Sequence, residues 1–309
     1  MRADAAGVKR PDFFIVGAPK CGTTAMYSYL QEHPQVFMPF HKEPLYFGAD
    51  LQRRYGQMTE KQYLDLFAAA RPDQRAGEAS AWYLYSQSAA REIHAFAPDA
   101  DIVVMLRNPV DVMYAQHSQL LFNRQEVITD FGEALEAEED RRQGRRLPPG
   151  PIRAENLFYR QMVRFADQME RYLDVFGADR VHVIINDDLR RDTPGEYRRV
   201  LEFLDVDPAF QPSFSLKNTN KRPRIAGLQQ LIYAPPAPIR VLAPWLRRSR
   251  LAHAVRGALL NVNSRAERRQ ALDPQLRRRL TEEMRPEVDR LGGLLGRDLS
   301  AWTTLAEAA

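Results

Sequence analysis

One short segment of this 309-residue chain holds residue types that can grip an anion: Gly17-Ala18-Pro19-Lys20-Cys21-Gly22-Thr23-Thr24. A glycine lets the backbone turn tightly and approach a ligand closely. Amide groups at the start of a helix attract negative charge, helped by the helix dipole. Lys20 adds a point charge, and Thr23 and Thr24 add hydroxyl donors. Together these make a phosphate cradle. It is not the loop of a nucleoside triphosphatase, which places lysine after the second glycine and a hydroxyl on magnesium. Here Lys20 precedes Gly22, and the later apolar run IVVML ends in Arg107, not in an aspartate able to hold magnesium. The expectation is a bound phosphate without a metal. Cys21, the single cysteine, sits where a helix start and Lys20 would favour a thiolate. With no Cys–His pairing visible, it reads as backbone of the cradle. The six histidines show no metal-ligand spacing.

Residues 13–17 (FFIVG) are a short apolar run, and Met26, Tyr29 and Leu30 recur at helical spacing, with Pro34 closing that helix. The pattern predicts strand, tight loop, helix. Further strands are predicted over 102–106 (IVVML) and 181–185 (VHVII). After the second of these, Asp192 or Thr193 caps a helix striped by Val200, Leu201 and Leu204. Helices are also expected over 131–143 and 155–176. Buried strands alternating with amphipathic helices imply an α/β fold around a mainly parallel sheet. Such sheets bind ligands at the carboxyl ends of their strands. All three strands here run into polar, charged loops.

The composition is that of an ordinary globule, with 44% hydrophobic and 27% charged residues. It excludes a disordered chain, a fibre and a disulfide scaffold. No stretch of apolar residues is long enough to span a membrane, and the amino terminus lacks a signal-peptide core, so a cytoplasmic location is expected. The net charge of +4 suggests an anionic ligand. APPAP at 234–238 separates the α/β part, 1–230, from a basic helical extension, 231–309, within a single domain. Between Arg240 and Arg285 twelve arginines face four acids. That tail reads as a solvated helical cap, as a surface for a polyanionic or lipid-linked acceptor, or as a peripheral membrane contact. No nucleic-acid module is recognised. Glu287 to Trp302 reads as a helix, an interruption at Gly292-Gly293, and a packed turn.

FFIVGAPKCGTTAMYSYLQEHPQVFMPFHKEPLYFG, followed by LRNPVD, resembles the sulfotransferases that use 3′-phosphoadenosine 5′-phosphosulfate (PAPS). The likeness spans residues 12–225 and is strongest to heparan-sulfate-type and bacterial glycan enzymes. It implies a P-loop-like central sheet and transfer of a sulfuryl group to an acceptor hydroxyl or amine, leaving 3′,5′-bisphosphoadenosine (PAP), with no metal. It assigns Lys20, Cys21, Gly22, Thr23 and Thr24 to the 5′-phosphosulfate, with Lys20 stabilising the departing oxygen. Glu43 of His41-Lys42-Glu43-Pro44 matches the general base, and Lys42 would bind sulfate or tune it. His41 and the more distant His117 are rival bases. Arg107 matches the arginine on the 3′-phosphate. The family serine eight residues later is Ala115 here, and Ser118, on the same helix face, is the candidate substitute.

Gly77-Glu78-Ala79-Ser80-Ala81-Trp82-Tyr83 resembles the family segment GExSxxY, with Ala79 where glycan enzymes often carry lysine; Trp82 and Tyr83 read as packing. Lys221 and Arg222 match the late basic loop over the 3′-phosphate. The implied acceptor is a carbohydrate, a glycolipid or a secondary metabolite. Two other readings stay open from the residues alone: a kinase-like phosphotransferase, and a non-catalytic protein that binds nucleotides or polyanions.

Overall fold

The computed structural model describes residues 9–51, 57–149, 153–214, 221–223, 262–266 and 270–304. The chain forms two compact units, one of residues 1–113, 160–217 and 274–309 and the other of residues 114–159 and 218–273.

The first unit is built on five parallel strands: β1 (Phe13–Gly17), β2 (Val36–Phe37), β3 (Arg75–Ala79), β4 (Asp101–Leu106) and β5 (Val181–Ile185), in the order β2-β3-β1-β4-β5. Every residue of β1 and β4 is buried, as expected of a parallel sheet covered on both faces. The expected α/β class is therefore found, with all three strands read from apolar runs at or within one residue of their expected bounds.

β2 and β3 carry no such signal. β3 reads Arg-Ala-Gly-Glu-Ala, yet it lies between two strands and is buried from Ala76 onward. Its glycine is obligatory for packing, because a Cβ on Gly77 would fall 2.0 Å from the Phe13 ring. Arg75 joins the strand starts, donating to Asp12 and to Asp101 at 2.7 Å each.

The helix Thr23–Glu32 follows β1, and Asp192 caps the helix Thr193–Phe203 by accepting from Gly195 N at 2.9 Å. The helix expected over 155–176 is three pieces: a 3-10 turn Ala154–Leu157, then Tyr159–Met162, then Phe165–Phe176. Arg164, at ψ 64, breaks the last two apart.

The interruption expected at Gly292-Gly293 is absent, since one helix runs Pro274–Leu295. Leu280, Met284, Val288 and Leu291 form one buried stripe along it, and this burial outweighs the glycines' weak helix propensity. The helix stops instead at Gly296, whose φ is +60. There Arg297 N returns to Gly292 O at 2.9 Å. The turn Ser300–Trp302 follows, with Trp302 buried.

The helix Pro109–Phe122 leads into the second unit. There the segment expected as one helix over 131–143 forms two, Phe131–Glu136 and Glu138–Arg142, meeting at Ala137. A buried Arg141–Glu126 pair at 2.8 Å organises this unit, with Tyr159 Oη donating to Glu126 at 2.7 Å. Lys221–Pro223 pairs antiparallel with Ser264–Ala266. Most of the basic tail, and the APPAP boundary, lie outside the described residues. Among the described residues no helix is long and apolar enough to cross a membrane.

Candidate active site

The carboxyl ends of β3, β1, β4 and β5 lie side by side. β1, β4 and β5 each run into a segment that the sequence marks as polar, and β3 runs into Ser80–Tyr83. β1 ends in the Gly17–Thr24 loop. Gly17 must be glycine, because a Cβ there would sit 2.4 Å from Leu84 Cβ. Gly22 adopts φ +103 as the N-cap of Thr23–Glu32, and no side chain caps that helix. A Cβ on Gly22 would meet Asn186 Nδ2 at 3.2 Å and Met105 Cε at 3.3 Å. The loop thus keeps bare backbone at an uncapped, electropositive helix start.

Lys20 takes a left-handed φ of 66 and is half-buried. Thr23 is buried and Thr24 half-buried. Cys21 is fully buried, and its Sγ faces Pro19 O at 3.5 Å. Burial pushes its thiol up to about 12, against the charges of Arg107 and Lys20 that pull it down. A thiol so placed is no nucleophile. The same interactions bring Lys20, Cys21 and Arg107 into one electrostatic neighbourhood.

Arg107 follows β4 directly. Its Nη2 donates to Asp111 Oδ2 at 3.2 Å, and Arg277 Nη2 donates to Asp111 Oδ1 at 2.8 Å. Burial opposes ionisation of Asp111, but the two guanidinium partners win and hold its carboxyl below the usual range. Asn186, the first residue after β5, donates to Cys21 O at 3.1 Å and anchors the cradle from the neighbouring strand. Sequence reasoning missed both Asn186 and Asp111. For Asn186 the usable signal was position, since a polar residue immediately after a strand stands where parallel sheets bind ligands; Asp111 lies in the first turn of the helix Pro109–Phe122, four residues after Arg107.

Glu43 lies beside the end of β3. Its N–H donates to Ala79 O at 3.0 Å, and its Oε2 accepts from Ala81 N at 3.2 Å. Lys42 Nζ donates to Oε1 at 2.8 Å. Glu43 and Leu45 hold positive φ values of 62 and 52. The segment after β3 is in turn tied to β1, with Ser80 N donating to Ile15 O and Leu84 N to Val16 O.

Glu78, one residue before the end of β3, is fully buried. Its Oε2 accepts from Tyr63 Oη at 2.9 Å and from Tyr83 Oη at 3.0 Å. Burial pushes its carboxyl up to about 7, partly offset by hydroxyls of Ser80, Tyr63 and Tyr83.

The surroundings of the other assigned residues are as follows. His41 is exposed. His117 lies in the second unit, buried, with Nε2 2.9 Å from Ile128 O; burial drives its pKa down. Ser118 also lies there, and its hydroxyl donates back to Tyr114 O at 2.9 Å. Ala115 is buried. Lys221 and Arg222 form a strand, but their side chains lie outside the described residues. Among the described residues, no group of three or more His, Cys, Asp or Glu is placed to hold a metal.

A family model described as "Sulfotransferase domain" matches residues 10–222. The chain belongs to the sulfotransferase family. A solved sulfotransferase from Alicyclobacillus acidocaldarius is 31% identical, with a TM-score of 0.72 over 96% of this chain and 100% of that one. Carbohydrate sulfotransferase 15 of Mus musculus is 33% identical over 152 residues, covering 35% of this chain and 27% of that protein. Bifunctional heparan sulfate N-deacetylase/N-sulfotransferase 4 of Mus musculus is 30% identical over 224 residues, 67% of this chain and 23% of that protein. This sulfotransferase therefore spans about a quarter of the length of those two curated relatives.

Proposed function

We propose that the chain transfers the sulfuryl group of PAPS to a hydroxyl or amine of a carbohydrate-type acceptor. One observation carries the reading: an uncapped helix start with Lys20, the Arg107 guanidinium and the Glu43 carboxylate stand at the carboxyl ends of three adjacent parallel strands. The cradle fits a phosphate, because no side chain caps the helix start at Gly22, which leaves that electropositive end for an anion. The nucleotide, when bound, supplies the activated sulfuryl group.

The residues divide the work by charge. Amides of the loop and Lys20 hold the 5′-phosphate and favour the negative charge that grows on it as the bond to sulfur breaks. Arg107, oriented by Asp111, suits the second phosphate by a two-pronged hydrogen bond. Glu43 accepts the proton that the acceptor loses as its oxygen or nitrogen bonds to sulfur. Lys42 and the Ala81 amide take one site on each carboxylate oxygen, and a carboxylate has about four such sites, so room remains for that proton. The products are the sulfated acceptor, PAP and a proton. Relatives described as carbohydrate and heparan sulfate sulfotransferases support a glycan acceptor.

The test uses PAPS carrying radioactive sulfur, with desulfated heparin and chondroitin as acceptor probes. Label in polysaccharide, lost in Glu43→Gln while PAP still binds by calorimetry, supports the reading. Stabilisation of the protein by ATP with magnesium but not by PAP would reject it.

A further inference from the structure

Glu43 sits on a backbone that needs holding. Two non-glycine residues, Glu43 and Leu45, occupy the left-handed region within three positions, a conformation that persists only where the surroundings fix it. The fixing atoms are two hydroxyls from the core. Leu45 N donates to Ser80 Oγ at 3.1 Å, and Phe47 N donates to Tyr83 Oη at 3.2 Å. Tyr83 Oη then donates to Glu78 Oε2 at 3.0 Å. Glu78, Ser80 and Tyr83 are all completely buried, so water cannot replace these partners.

We propose that Glu78 is a positioning residue for Glu43: its carboxyl fixes the hydroxyl of Tyr83, and that hydroxyl, with the Ser80 hydroxyl on Leu45 N, clamps the backbone on which the base is carried. A buried carboxyl is costly unless it is hydrogen-bonded, and here Oε2 takes both tyrosine hydroxyls while Oε1 has no hydrogen-bond partner. Here every one of its bonds leads to the 43–48 segment. The second donor, Tyr63, stacks on Tyr46 with ring centroids 4.2 Å apart. Tyr83 donates to the carboxyl and accepts from Phe47 N, so each bond strengthens the other. The spacing Glu78, Ser80, Tyr83 brings the carboxyl and both anchoring hydroxyls to one end of β3. The next stretch is tied independently, with Gly48 N and Ala49 N donating to Glu92 at 2.7 and 3.0 Å. The clamp therefore acts on the part of the loop nearest the base.

The inference rests on the reading of Glu43 as base, and its test separates the two. Tyr83→Phe and Ser80→Ala each remove one hydroxyl and keep the shape; Glu78→Gln removes the charge. Hydrogen exchange of peptides covering 43–48 is read by mass spectrometry, beside kcat and KM with desulfated heparin and PAP affinity by calorimetry. The expected result is exchange and kcat changed roughly 3- to 10-fold, the weight of one buried hydrogen bond, with PAP affinity within about twofold. Unchanged exchange of 43–48 in both hydroxyl variants overturns the proposal, whatever activity does. Faster exchange with unchanged kcat, where Glu43→Gln is inactive, also overturns it. If Glu43→Gln stays active, the base reading fails and exchange alone decides the clamp. Should Glu78→Gln fail to fold, Tyr83→Phe carries the test.

Discussion

Lys42 and Glu43 are neighbours in sequence and partners in space, with Nζ 2.8 Å from Oε1. Adjacent residues rarely pair this way, because their side chains usually diverge. Here Glu43 holds a left-handed φ of 62. With the Ala81 amide on the other oxygen, the carboxylate is held at both ends. Lys42→Met is expected to lower kcat by about tenfold, within the range for one charge-assisted hydrogen bond. KM for PAPS should change less than kcat. Equal losses in both, measured by initial rates, would assign Lys42 to nucleotide binding instead.

Gly22 meets two constraints at once. Its φ of +103 is strained for any side chain, and a Cβ would press on Asn186 and Met105. Gly22→Ala is expected to destabilise the fold by about 1–3 kcal/mol, the usual cost of an unfavourable backbone region. PAP affinity should fall about tenfold or more, since about 1.4 kcal/mol of displaced cradle is already tenfold. Calorimetric titration with PAP and a thermal melt check both. Normal affinity with a lowered melting temperature would make Gly22 structural only.

The cradle, β1, β4 and β5 were legible because apolar runs next to glycine and lysine are local signals. Glu43 and Arg107 were legible through the family pattern rather than through their own chemistry. β3 was not legible, since its burial depends on Phe13 covering Gly77, a contact 64 residues away. The anchoring role of Asn186 was hidden for the same reason, as its partner is Cys21 O across 165 residues. Gly292 and Gly293 misled because local propensity argued for a break where a long-range apolar stripe decided otherwise.

Asp111 connects Arg107 to the long carboxy-terminal helix through Arg277. Asp111→Asn keeps the shape but removes the charge both guanidinium groups pair with. PAP affinity is expected to fall roughly 3- to 10-fold, as for one lost charged hydrogen bond, with kcat at saturating PAPS near the parent value. The carboxyl is depressed below 3.8 in the fold. Its contribution to stability is therefore present above that value and is lost as pH falls through the folded one. Asp111→Asn should narrow its stability gap to the parent below pH 3.8, read from urea unfolding. A gap constant in pH would show that the ion pairs carry no stability.

Glu78 has the opposite sign. Burial lifts its carboxyl from 4.5 to about 7, with the charge of Glu43 adding to the rise and the hydroxyls of Ser80, Tyr63 and Tyr83 opposing it. Between those values the folded chain keeps a proton that the unfolded chain has released. Stability from this group is thus full at low pH and declines as pH rises toward 7, by up to about 1.4 kcal/mol per pH unit. His117, buried, and His182, half-buried, have pKa values depressed by desolvation and act in the other direction, losing stability as pH falls. The comparison that isolates Glu78 is therefore parent against Glu78→Gln, in urea at pH 5, 6, 7 and 8. The variant lacks the titrating proton, so its deficit should shrink steadily from pH 5 to pH 7 and then level off. Tyr83→Phe withdraws a donor that favours the ionised carboxylate, which should move the parent's slope to higher pH. Parallel curves for all three proteins would mean that this carboxyl is ionised throughout the range.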